Sequence, residues 1–100
     1  MGAAFEWDEA KAQSNLQKHG VSFEEAASVF ASPLAAIFPD PDHSQDEVRE
    51  IIVGHSERSH LLVVSFTERG DAVRIISARV ATTRERKDYE ENPMGGRGHE

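Results

Sequence analysis

The sequence predicts an α+β domain, with an N-terminal strand and two helices packed on an antiparallel sheet and a C-terminal helix after it. Three observations predict this. Two stretches with helix-cap signals open the chain between Asp8 and Phe30. Three runs rich in β-branched residues follow at hairpin spacing: Val48–Val53, Leu61–Phe66 and Val73–Ala78. A charged stretch with its own cap signal begins at Thr82 and runs to Asn92-Pro93. Helices segregated from a hairpin-connected sheet define the α+β class.

Each element has a local cause. Phe5-Glu6-Trp7 alternates apolar and polar as a short strand does. Asp8 supplies an N-cap oxygen to the helix formers Glu9-Ala10-Lys11-Ala12, and Gly20 stops that helix after His19. Ser22 and Glu25 stand at capping-box spacing. Phe23, Ala26, Ala27 and Phe30 then build one apolar helix face. Leu34–Phe38 is a short apolar run between prolines, and Asp40–Asp46 is a polar loop. The turns Glu57-Arg58-Ser59 and Glu68-Arg69-Gly70-Asp71 separate the three main strands. Thr82 and Glu85 form a second capping box, opening a helix to Tyr89 or Glu91. Residues 1–91 are expected to be one domain and residues 92–100 a flexible tail.

Composition removes several function classes. The chain has 100 residues, no cysteine and a net charge of −7. A disulfide scaffold, a thiolate zinc site and a Cys nucleophile are excluded. No apolar run is long enough to span a bilayer. Met1–Asp8 has neither a basic region nor an apolar core of the secretory kind, so the expected location is the cytoplasm. The acidic balance argues against a broadly basic nucleic-acid binder. Charge is uneven, however. Residues 1–50 hold ten acids and three bases, whereas residues 58–87 hold seven bases and three acids.

Longer motifs carry a family resemblance. Phe5-Glu6-Trp7-Asp8 with Lys11, then Asn15-Leu16-Gln17-Lys18-His19-Gly20-Val21-Ser22-Phe23-Glu24-Glu25-Ala26 and Val29-Phe30, resemble the opening of the BrnT-type toxins. The resemblance continues through Asp46-Glu47-Val48-Arg49, where the family pattern has Gly before the Glu, and Leu61–Gly70. It is most specific at Val73-Arg74-Ile75-Ile76-Ser77-Ala78-Arg79-Val80-Ala81, followed by Glu85-Arg86 and Tyr89. It covers roughly residues 5–90. It implies a RelE-like fold, a cytoplasmic ribonuclease that arrests translation without a metal or other cofactor, and a cognate BrnA-like antitoxin. DNA would be met only indirectly, through the antitoxin. The alternative is a catalytically weak binding module that completes a DNA-binding antitoxin complex for operon repression.

Metal-free RNA cleavage needs a base for the 2′-hydroxyl, a cation for the pentacoordinate phosphate and an acid for the leaving 5′-oxygen. Arg79 is the leading candidate. It ends a strand, and simple alternation places it with Val73, Ile75 and Ser77, where an Arg needs a carboxylate or a phosphate. Arg86 and Tyr89 lie three apart near the start of the last helix, as a phosphate contact and a possible site or packing residue. Arg86 also stands four residues before Glu90, an ion-pair spacing. His19 is the histidine best placed for proton transfer, although a helix C-terminus also suits it structurally. Lys18, Arg49, Arg69, Arg84 and Lys87 are candidate RNA contacts, each with a surface or salt-bridge alternative. Trp7 is read as core, and His55 and His60 as surface residues of a hairpin. Asp40-Pro41-Asp42-His43 is read as a solvated turn rather than a metal cluster, and no metal site is expected.

Overall fold

The computed structural model describes residues 4–40 and 48–91. The elements run β1 (Ala4–Glu6), α1 (Glu9–His19), α2 (Phe23–Ser28), a 3₁₀ turn (Val29–Ala31), β2 (Ala36–Pro39), β3 (Glu50–His55), β4 (Leu61–Arg69), β5 (Ala72–Val80) and α3 (Thr83–Glu91). Most of the Asp40–Asp46 loop and the 92–100 tail lie outside the described residues. So do Pro41, Asp42 and His43 of the suspected turn. Among the described residues, no helix is long and apolar enough to cross a membrane.

The α+β class holds, but the sheet is mixed rather than antiparallel. Its strand order is β1-β5-β4-β3-β2. β1 pairs with β5 in parallel, whereas the three other pairings are antiparallel.

Local chemistry accounts for the helix ends. The Asp8 carboxylate accepts from the amides of Ala10 and Lys11 at 2.8 and 3.2 Å. Gly20 takes φ 72°, the left-handed conformation that glycine adopts without a Cβ penalty, and its amide bonds to Leu16 O. Ser22 Oγ accepts from the Glu25 amide at 3.0 Å. The reciprocal half of that box is replaced. The buried Glu25 carboxylate takes Ser56 Oγ–H at 2.6 Å and meets His60 Nδ1 at 2.8 Å. Burial pushes the Glu25 pKa up, but the bonds from Ser56 and His60, aided by charge from His60 and Arg58, bring it below its ordinary value. This cluster fastens the β3–β4 turn to α2. His60 is exposed, as its surface reading expects, and is also anchored by this carboxylate.

The core lies between the helical pair and one face of the sheet. Val21, Phe23, Ala26 and Val29 meet Ile52, Leu62, Val64, Phe66, Ile75 and Ala78. Phe30 bridges Phe5 and Phe66 at ring distances of 5.2 and 5.0 Å. Trp7 packs edge-on against Phe23 at 5.8 Å, as its core reading expects. Gly54 lets the chain after the 3₁₀ turn approach β3. A Cβ there would stand 2.8 Å from Ala35 Cβ.

The alternation expected for β5 fails at a bulge. Ser65 pairs with Ser77 and Phe66 with Ile75, leaving Ile76 without an opposite residue on β4. Val73, Ile75 and Ala78 consequently face the core, while Ser77 and Arg79 face the other side. Arg79 thus shares its face with Ser77 but not with Val73 or Ile75. The extra residue reverses side-chain direction halfway along the strand.

Beyond the end of β1, the outer edge of β5 is closed by a side chain. Asn15 is buried on α1. Its amide nitrogen donates to Ala78 O at 2.8 Å and to Val21 O at 3.0 Å, and its oxygen accepts from Ala78 N at 3.1 Å. An Asn15→Ala substitution should cost about 2–4 kcal/mol, since it strands buried polar backbone groups. Urea denaturation measures this; a loss below about 0.5 kcal/mol would show that water or backbone relaxation replaces the clamp.

Candidate active site

On the sheet face opposite α1 and α2, α3 roofs a cleft of about 450 Å³. Ala36, Phe38, Ile51, Val53 and Val63 form its apolar floor, and Arg79, Glu85, Asp88 and Tyr89 supply its polar side. Arg79 reaches the cleft because β5 pairs it with Val63.

Arg79 and Glu85 form a two-pronged pair, with Nη1–Oε1 at 2.7 Å and Nη2–Oε2 at 2.9 Å. Glu85 also closes the second capping box. Its Oε1 accepts from Thr82 N at 2.9 Å, and Thr82 Oγ1 accepts from Glu85 N at 3.1 Å. One carboxylate therefore ends β5, starts α3 and neutralises the guanidinium. The hydrogen bonds from Arg79, opposed by burial and aided by Thr82, pull the Glu85 pKa down to about 2. The bond to Glu85 raises that of Arg79.

Tyr89 holds the other end of the roof. Its hydroxyl donates to Leu34 O at 2.9 Å, and its ring meets His55 edge-on at 5.7 Å. Burial pushes its pKa up, keeping the phenol neutral and a donor.

The other candidates lie elsewhere. Arg86 is exposed and pairs with Glu90 at 3.8 Å, so Glu85, Asp88 and Tyr89 are the α3 residues that line the cleft. His19 and Lys18 are exposed at the C-terminal end of α1, in the helical layer, and do not line it. Arg84 and Lys87 are exposed on α3, and Arg69 is exposed at the end of β4. Arg49 lines a second recess with Lys11 and Arg74. Sequence reading missed Glu85 as the partner of Arg79, although the capping spacing placed it nearby. It also missed Asn15, whose role depends on a strand 63 residues away.

The Glu85 pKa lies below its unfolded value of 4.5, so the pair contributes stability above about pH 4.5 and loses it as pH falls toward 2. Solvent screening of this part-exposed pair limits the contribution to about 1 kcal/mol. Melting curves should show a smaller acid-induced loss in this window for Glu85→Gln than for the parent. Parallel curves would remove the pair from the acid response.

A family model described as the BrnT ribonuclease toxin of type II toxin–antitoxin systems matches residues 7–85. Among solved structures, the chain is similar to the Brucella abortus ribonuclease toxin BrnT, with a TM-score of 0.65 and 27% identity. That match covers 82% of this chain and 100% of the other. No curated protein matches the chain. The chain belongs to the BrnT family of ribonuclease toxins of type II toxin–antitoxin systems.

Proposed function

We propose that this protein is a metal-independent endoribonuclease that arrests translation in the cytoplasm, acts at the cleft under α3 and is neutralised by a cognate BrnA-like antitoxin. Family membership implies an RNA substrate and an antitoxin partner. The observation that carries the site assignment is the Arg79 fork at the cleft, gripping two oxygens of one anion. The two non-bridging oxygens of a phosphodiester suit the same fork.

The proposed chemistry follows. The 2′-hydroxyl gives its proton to water as its oxygen attacks phosphorus, the P–O5′ bond breaks, the 5′-oxygen takes a proton from water, and a 2′,3′-cyclic phosphate forms. Arg79 offsets the charge that builds on the pentacoordinate phosphorus. Tyr89 lines the same cleft, but its one hydroxyl proton is committed to Leu34 O, so it serves the cleft as an anchor of α3. With His19 in the helical layer and Arg86 on the outer side of α3, the reading rests on charge stabilisation rather than on an acid–base pair of side chains.

One observation favours the second reading, a catalytically weak module of a DNA-binding antitoxin complex. Glu85 already occupies the Arg79 fork. Cleavage assays separate the two. The parent should cut RNA in EDTA and leave 2′,3′-cyclic or 3′-phosphate ends, and Arg79→Ala should lose about 10²–10³-fold in kcat. Full activity in a folded Arg79→Ala protein would remove that assignment. A folded parent that neither cuts RNA nor arrests growth would favour the binding module.

A further inference from the structure

The β5 bulge has a second effect. Counting back from Arg79 by strict alternation would point Arg74 into the core. Because Ile76 has no opposite residue, Ile75 turns inward and Arg74 turns to the face that carries Arg79. Arg49 shares that face through β3. It precedes Ile51 and Val53 by two and four residues, and its carbonyl accepts from Asp40 N at 3.1 Å, continuing the β2–β3 ladder. Lys11, exposed on the first turns of α1, reaches the same place past the end of β1.

These three cations surround a recess of about 50 Å³ beside Asp8, Ile75 and Ile76. Among the described residues, Asp8 lines the recess and Glu6 reaches Arg74, and both carboxylates have partners. Asp8 caps α1 through two amides, and Glu6 meets Arg74 at 3.3 Å across the β1–β5 pairing. Along β5, Arg74 stands five residues from Arg79, about 16 Å at strand rise. Ser65 and Ser77, paired between them, carry small polar side chains. An extended RNA strand covers that distance in a few nucleotides.

We propose that Lys11, Arg49 and Arg74 form a second anion-binding recess, which takes a backbone phosphate of the RNA strand a few nucleotides from the bond cut at Arg79. This rests on the ribonuclease reading and deepens it. The three are positioning residues: they hold the strand in register and touch no reacting atom. The bulge supplies the specificity of the arrangement, since it aims two arginines of one strand at one polymer while keeping Ile75 in the core.

The test uses the full chain and a mixed-sequence single-stranded RNA carrying 2′-O-methyl groups, which block cleavage. Its Kd is measured by fluorescence anisotropy over a range of NaCl concentrations. The Lys11→Gln/Arg74→Gln double variant should bind about tenfold more weakly at low salt. The slope of log K against log salt should become shallower by about 0.7, the share of the one phosphate contact that the recess supplies. On the cleavable RNA, KM should rise about tenfold and kcat should change less than threefold, whereas Arg79→Ala acts on kcat. Arg74→Lys, which keeps the charge, should recover most of the salt slope.

An unaltered slope in a double variant that melts like the parent would overturn the recess. If the double variant does not fold, Lys11→Gln alone, at an exposed helix position, decides the matter by the same slope. Binding of inorganic phosphate that is lost in the variant, with an unchanged RNA slope, would assign the recess to a free anion and overturn the RNA role. Parent protein that neither binds nor cuts RNA would overturn the ribonuclease reading and this inference together. Parent cleavage with an unaltered slope would overturn this inference alone.

Discussion

Asn15 gives α1 and β5 a shared hydrogen-bonded edge, and the position of Arg79 depends on it. β1 is only three residues long and covers β5 from Ala72 to Arg74. Past that point the outward N–H and C=O of Ala78 would be buried without strand partners. A carboxamide presents a donor and an acceptor side by side, as a strand does, and Asn15 supplies both. Its second donor hydrogen goes to Val21 O, so the same side chain fixes the exit of α1. Three bonds from one residue set the strand whose next side chain enters the cleft.

From there the geometry passes through Glu85. Arg79 leaves the sheet, Glu85 receives it, and Glu85 also closes the first turn of α3 through Thr82. Tyr89 completes the docking at Leu34 O. No residue of α3 is buried, so these few polar contacts rather than an apolar seam position the helix. An apolar floor beneath a polar-anchored roof is a cleft rather than a second core.

The parts legible in the sequence were those with short-range causes. Gly20, the Asp8 cap, both serine and threonine caps and the β-branched strands can each be read from neighbours within a turn. The bulge cannot. It is set by pairing with Ser65 and Phe66, and it reversed the inferred side of Val73 and Ile75 relative to Arg79. Glu25 shows the same limit. Its spacing reads as a box with Ser22, yet its carboxylate turns to Ser56 and His60, more than thirty residues away. Arg79 was legible as an Arg in need of an anion, but the choice between a carboxylate and a phosphate required the fold. Arg86 and Tyr89 share a helix face only coarsely. The docked helix turns Tyr89 to the cleft and Arg86 to solvent.

The internal carboxylate bears directly on how an acidic protein would handle RNA. Arg79 and Glu85 are each about two-fifths exposed, so a phosphate can approach the fork from solvent. It does not meet a vacant cation, however. On the proposed reading, phosphate and Glu85 compete for the same donors, and binding energy is diverted to separating a charge-assisted pair. Glu85 remains charged at neutral pH because its pKa stands near 2, so it does not leave by protonation. Affinity must then come from elsewhere on the strand. On the proposed reading, Arg49 and Arg74 beside the bulge on the same sheet face, with Lys11 reaching in from α1, supply it without touching the reaction. A chain with net charge −7 can thus hold RNA along one line of arginines, while its acids buttress that line from within.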